Sequence, residues 1–438
     1  MLYSRLTVAV LAALACSRAG AAVTYLGVAT LDGLDKSGLS GKLEDGVRSP
    51  AVIGGFSAIA WTGRGNSYLV LPDRGPNAEA YAGGDGVDNT QSFINRVQAI
   101  DIEVTGDASH GWSVAGRLKS TSLLSSEVPL TGATTGNPER RYFTGLSSGI
   151  DPTVLTRSMR LDSEGLRVAS DRKSFFVSDE YGPFVYEFAM STGQRLRSFV
   201  LPSEFVVQKA AAIGKQEIAT NTTGRVSNKG MEGLAITPDG GTLVGLMQAP
   251  LLQDHALSAE DGKSAVGIYS RLISIDLRHC SAGTQASCAT RQFVYEQSAP
   301  TTGNSELLAV NEHQFLAIER DGKAGGGSVK LITLIDLEGA TDISAVAQLP
   351  QTGLPAVVKP TKKRVLFDLA ATLKAAGETV VEKYEGLAFG PDLPDGRHLL
   401  LVSVDNDFVR DAPSKIYAFA VDRNELPEFK QQVFSGAK

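Results

Sequence analysis

Residues 232–250 read EGLAITPDGGTLVGLMQAP, a strand-sized apolar run, a PDGG turn and a second apolar run. Short apolar runs separated by Pro, Asp and Gly are the signature of a β-hairpin. The phrase returns four more times: SAIAWTGRGNSYLVLPDRG from Ser57, EGLRVASDRKSFFVSDEYG from Glu164, ELLAVNEHQFLAIERDG from Glu306 and EGLAFGPDLPDGRHLLLVSVDND from Glu385. Three copies run 16 residues from the opening residue to Asp73, Glu180 or Gln248; the others end at Glu319 and Asp405. Self-similarity at such a period marks a radial or stacked repeat architecture.

Each hairpin is followed by a third apolar run: RVQAIDIEV, FVYEFAM, SRLISIDL, KLITLIDLE or KIYAFAV. Fourth strands are expected at LRSFVLP, RQFVYEQ and AVAQLP, and one helix at 366–376. Four-stranded units about an axis make an all-β propeller; a stacked solenoid, whose repeats are usually shorter, is the competitor. Five blades are visible, and the extra length between Ser57 and Glu164 leaves a sixth open. The strand at 24–31 is expected to complete the last blade. A single domain over residues 23–438 follows.

The bulk numbers fit this and exclude some functions. Of 438 residues, 42% are hydrophobic and 21% charged, an ordinary globular balance. A net charge of −6 provides no footprint for nucleic acid. Arg5, the apolar stretch Leu6–Ala15 and Ala19-Gly20-Ala21 read as an export signal over residues 1–22. That stretch is too short to span a bilayer, and no later segment is apolar enough, so no stable membrane insertion is expected. A periplasmic or secreted location follows. A lipoprotein anchored through Cys16 is the alternative, although the residues before it fit a lipidation site poorly. In an exported chain Cys280 and Cys288, across the loop CSAGTQASC, read as a local disulfide.

The repeated acids carry the functional signal. In an antiparallel hairpin the start of one strand and the end of the next share a rim. Glu164, Glu232, Glu306 and Glu385 are therefore expected to converge near a central channel, with Asp73, Asp179, Glu180, Glu319 and Asp405 beside them. Two like charges at ~4 Å repel by about 4 kcal/mol at an effective dielectric of 20. Such a ring must share protons, pair with Arg or bind a cation. Carboxylates without spaced His ligands suit Ca²⁺, or Mg²⁺, rather than zinc. The metal set expected is Glu164, Asp179, Glu232, Glu306, Glu319, Glu385 and Asp405. Acids that open blade strands can also accept from neighbouring backbone amides and lock the blades with no metal. Arg74 and Arg320 lie among the acids, either as internal counter-ions or as anion clamps. Gly145–Gly149 matches G-x-S-x-G but lacks the strand–helix context of a nucleophile elbow.

DRGPN from Asp73, KGMEGLA from Lys229, SDEYGPFVYEF from Ser178 and YEGLAFGPD from Tyr384 resemble the phytase-like esterase family of exported bacterial proteins. The similarity spans residues 50–420. It implies a propeller related to the calcium-dependent β-propeller phytases, and phosphoester hydrolysis. By position it implicates Asp73, Arg74, Glu164, Glu180, Glu232, Glu319 and Glu385, whereas Gln248 stands where neighbouring copies carry an acid. The expectation is a calcium-dependent phosphoester hydrolase acting as a monomer on a small molecule. Asp73, Arg74, Glu180 and Arg320 would be its catalytic residues. A calcium-dependent lactonase or carboxylesterase, and a non-catalytic binding propeller with a structural cation, are the alternatives.

Overall fold

A computed structural model describes residues 22–31, 54–75, 93–132, 141–151, 153–182, 184–409 and 412–435. The expected export signal and the Pro76-Asn77 end of DRGPN lie outside them. Among the described residues the main strands form five antiparallel sheets, each a blade. Blade I runs Ala58–Arg64, Ser67–Leu71, Arg96–Asp107, Gly111–Leu123. Blade II runs Ser163–Val168, Ser174–Asp179, Phe184–Ala189, Gln194–Phe199. Blade III is Met231–Ile236, Thr242–Met247, Tyr269–Cys280, Cys288–Glu296. Blade IV is Gly303–Ala309, Gln314–Arg320, Lys330–Asp336, Lys362–Asp368. Blade V is Tyr384–Phe389, His398–Val404, Ser414–Val421, and its outermost strand is the N-terminal Val23–Leu31.

Val23–Leu31 pairs antiparallel with Ser414–Val421, so the chain's two ends close the ring as expected. Among the described residues five blades, not six, complete it. Two expectations need correction. AVAQLP forms no strand, and the fourth strand of blade IV is Lys362–Asp368. The helix is shorter than expected, Leu369–Ala375, with Asp368 as its N-cap accepting from Ala371 N. Cys280 and Cys288 are disulfide-bonded. Among the described residues no helix is long and apolar enough to cross a membrane.

The inner strands are the first hairpin strands, and they pack against one another around the axis. Met231–Ile236 and Tyr384–Phe389 are buried throughout, which is why, apart from Glu232 and Glu385, they read as apolar runs rather than alternating ones. The glycine after Glu164, Glu232 and Glu385 permits the close approach. A Cβ on Gly165 would meet Leu234 Cβ at 2.5 Å, and one on Gly386 would meet Ile59 N at 2.9 Å. The lower end of the channel is crossed by residues 426–435. There Lys430 N donates to Val310 O, Val433 N to Pro238 O and Ser435 N to Ser170 O.

Candidate active site

At the upper rim, the inner strands of blades II, III and V bulge at their glutamates. Glu232 lies between the pairs Met231–Met247 and Gly233–Leu246. Glu385 lies between Tyr384–Val404 and Gly386–Ser403, and Glu164 within the irregular stretch between Ser163–Asp179 and Leu166–Val177. A bulged residue leaves the ladder, and its side chain is re-aimed. In blade IV the extra residue is Ser305, between Asn304–Glu319 and Glu306–Ile318. Equivalent positions around the ring are therefore Ser57, Glu164, Glu232, Ser305 and Glu385. The second strands add Asp73, Glu180, Gln248, Arg320 and Asp405.

Glu164, Glu232 and Glu385 each offer an oxygen within 4.8 Å of the other two, and so do Asp162, Glu164 and Glu180. Glu164 belongs to both groups, and all five side chains are buried. Oε1 of Glu232 accepts from Gln248 Nε2 at 2.5 Å. Its Oε2 is buried and takes no hydrogen bond among the described residues. Arg74 donates to Asp162 from its backbone N (3.0 Å) and from Nη1 (2.8 Å), and from Nη1 also to Asn228 Oδ1. Arg320 donates to Ser305 Oγ and, through Nη2, to Glu385. Lys383 donates to Asp405 at 2.9 Å and to Asp407. Asp73 accepts from Gly75 N at 2.8 Å.

This rim carries an excess of negative charge. Burial, then Glu232 and Asp162, pushes Glu164 well above the usual carboxylate range, and burial and Glu385 do the same to Glu232. Burial and Asp162 raise Glu180 to about 8. Asp73 is raised by burial and by Asp405, and Glu385 by burial against the opposing pull of Arg320. Burial is the largest single influence on Lys383 and Arg320 and would lower both; the surrounding carboxylates together, led by Asp405 and Glu385 respectively, hold both above their ordinary values. Asp73, Asp162, Glu164, Glu180, Glu232, Glu385 and Asp405 outnumber Arg74, Arg320 and Lys383. Two ionised carboxylates 4.8 Å apart repel by about 3.5 kcal/mol at an effective dielectric of 20. The orphaned Glu232 oxygen and the all-oxygen donor set fit a hard divalent cation.

Four expected ligands fall outside the two acid groups: Asp405 stays at the rim, held by Lys383, and the other three are held elsewhere. Glu306 occupies the register position that is Gly233 in blade III, so its side chain fills the axis. It accepts from Leu307 N (2.8 Å), Leu234 N (3.3 Å) and Leu387 N (3.4 Å), and pairs with Arg167 at 3.0 Å. Burial raises it to about 7. Glu319 faces away between blades, where Tyr295 Oη, Ser298 N, Thr302 Oγ1 and Lys363 Nζ donate to it. Asp179 caps its own turn, accepting from Asp162 N, Tyr181 N and Gly182 N, and is raised to about 7 by burial.

Sequence reasoning missed Asp162, Lys383 and Asn228. The first two precede Glu164 and Glu385 by two residues, and period-two alternation from each glutamate would have found them. Beside the acids a cleft of about 300 Å³ opens over blades III to V. Asn228, Lys229, Gln248, Ser305, Arg320 and Lys383 line one side, with Ala249, Pro250 and Leu257 as an apolar wall.

A family model described as phytase-like, esterase-like activity of phytase, matches residues 51–408. A protein of Arthroderma benhamiae named "Uncharacterized secreted protein" is 27% identical over 317 residues, covering 62% of this chain and 56% of that protein. The chain thus spans about half the length of that relative. Among solved structures, the Kuenenia stuttgartiensis hydrazine synthase is 12% identical, with a TM-score of 0.33, over 89% of this chain and 86% of that one. A luciferin-regenerating enzyme is 8% identical, with a TM-score of 0.34, over 87% and 96%.

Proposed function

The chain belongs to the phytase-like family, and from that premise we propose that it is an exported, calcium-dependent hydrolase of small phosphoesters, working as a monomer. One observation carries the reading. Oxygens of Glu164, Glu232 and Glu385 meet within 4.8 Å, one of them buried without a partner, at the edge of a cleft lined by Arg320 and Lys383.

Glu164, Glu232 and Glu385 would hold the cation, and Asp162 and Glu180 lie next to it, grouped with Glu164. When bound, a divalent cation polarises a phosphoryl oxygen and lowers the pKa of water. The protein does the rest. Arg320 and Lys383 face the cleft and grip the anionic oxygens of the substrate. Arg74 gives its Nη1 to Asp162 and Asn228, so it acts as the counter-ion that aims Asp162. Glu180, raised to about 8, sits where a carboxyl exchanges a proton near neutral pH. Asp73 is raised as well, by burial and then by the neighbouring Asp405. The Ala249–Pro250 and Leu257 wall receives an apolar leaving group. That same wall, with the esterase-like description of the family, supports a carboxylic ester or lactone as the second reading.

The test is a screen of phosphomonoesters, phosphodiesters and lactones with purified protein in EGTA, and then with Ca²⁺, Mg²⁺ or Zn²⁺ restored. Phosphoester turnover lost in chelator and recovered with Ca²⁺ is expected. Turnover of lactones alone, or turnover indifferent to chelator, overturns the reading.

A further inference from the structure

Asn228 sits where the acid cluster meets the cleft. It is the third residue of the turn Val226–Lys229, in which Lys229 N donates to Val226 O at 3.0 Å, and its φ is 58°. Asn tolerates this left-handed conformation better than most residues, and Gly better still. The turn is clamped to the site. Gly230 N donates to Glu180 Oε1 at 3.1 Å, and a Cβ on Gly230 would meet Glu180 O at 2.2 Å. Gln248 N donates to Gly230 O at 2.8 Å, and Arg225 Nε to Tyr181 O at 2.9 Å.

We propose that Asn228 is a substrate-binding residue whose Nδ2 donates to a phosphoryl oxygen in the cleft, in an orientation that Arg74 fixes; this rests on the phosphoester reading above. The chemistry of the pair sets the orientation. Guanidinium has only donors, so the Asn228 atom facing Arg74 Nη1 is the carbonyl Oδ1. The amide nitrogen then points away from Arg74, on a side chain that lines the cleft with Arg320 and Lys383. Arg74 cannot swing to follow it, because Asp162 holds both its backbone N and its Nη1. An amide that is normally free to flip is thereby aimed, and the cleft gains a neutral donor among its Lys and Arg side chains. A neutral donor adds binding to an anion without raising the pull of the nearby carboxylates on the cations.

Three variants of the full chain separate the roles this residue could have. Asn228→Gly keeps the turn and removes the amide. Asn228→Asp keeps an oxygen for Arg74 and replaces the donor with negative charge. Asn228→Ala removes both. Titration calorimetry with inorganic phosphate in Ca²⁺, and KM and kcat for p-nitrophenyl phosphate, are the readouts. Loss of a hydrogen bond to a charged group weakens binding about ten- to a hundredfold. Asn228→Gly should raise the phosphate Kd and the KM by that factor with an unchanged Tm, and Asn228→Asp by at least as much. Wild-type phosphate affinity in Asn228→Gly would reduce Asn228 to a turn residue. Wild-type affinity in Asn228→Asp would reduce it to an acceptor for Arg74. Either result overturns the proposal. If the wild type binds phosphate through Asn228 but hydrolyses no phosphoester, the hydrolase reading falls and this one stands. If it hydrolyses phosphoesters and Asn228→Gly is unaltered, only this one falls. A wild type that neither binds phosphate nor hydrolyses phosphoesters ends both.

Discussion

Glu232→Gln removes one negative charge from the bulge cluster and leaves its shape and its bond from Gln248 Nε2 in place. Glu164 and Glu385 each bring an oxygen within 4.8 Å of Glu232, and each pair would repel by about 3.5 kcal/mol if both members were ionised. Protonation caps that cost. Keeping a carboxyl of ordinary pKa neutral at pH 8 costs about 5 kcal/mol relative to the unfolded chain. Cation-free Glu232→Gln is therefore expected to be more stable than wild type at pH 8 by about 3 kcal/mol, a Tm gain of a few degrees for a chain of this size. The difference should nearly vanish at pH 5. With calcium the order reverses. A ligand at a hundred times its Kd contributes about 2.7 kcal/mol to wild type, and the variant should gain little. Thermal unfolding in EGTA and in CaCl₂ at both pH values reads all four states. A variant less stable than wild type in EGTA at pH 8 would refute the reasoning, as would one that gains as much from calcium.

Wild type in EGTA should lose stability steadily from pH 5 to pH 9. Glu180 is raised to about 8, and Glu164 and Glu232 are raised well above 4.5, so the folded state binds more protons than the unfolded one across that window. Saturating Ca²⁺ should flatten the slope, which denaturant titration at several pH values measures. Arg167→Met removes the guanidinium that pairs with Glu306 in the axis, and breaking a buried pair costs about 3–5 kcal/mol; Arg167→Met with Glu306→Gln should recover part of it in urea melts. A stop codon after Leu426 removes Phe429, which packs on Phe389 and His398, and Phe434, which packs on Trp61. Burying an aromatic side chain contributes about 2–3 kcal/mol, so this truncation should lower the Tm. It should leave KM unchanged, because these contacts lie at the end of the channel opposite the acids.

Hairpin chemistry and third-strand runs made the propeller legible in the sequence, and so did the role of Val23–Leu31 in closing it. AVAQLP misled because an apolar run carries no record of its partner. The third strand of blade IV pairs instead with Lys362–Asp368, which opens on the basic residues Lys362, Lys363 and Arg364.

The fourth repeat shows why the site was harder to read than the fold. Matching ELLA at Glu306 to EGLA at Glu232 sets acid against acid, and Glu319 then appears to belong to the ring. The hydrogen-bond register is offset by one: Ser305 is the bulged residue, and Arg320 rather than Glu319 reaches the rim. In a strand a shift of one residue exchanges the two faces. It therefore moves Glu306 into the channel against Arg167, and Glu319 between blades against Lys363 and Tyr295. The same offset places a cation opposite the three bulged glutamates. The asymmetry is what gives the rim a chemistry, because five identical acidic copies would bind cations without any side for an anionic substrate. Arg320→Glu would restore the acid that the repeats suggest. It should cost activity on phosphoesters more than a hundredfold, and a calcium-induced Tm gain at least as large as that of wild type should persist. Phosphoester turnover surviving Arg320→Glu would mean that the anion binds somewhere other than the blade IV side of the mouth.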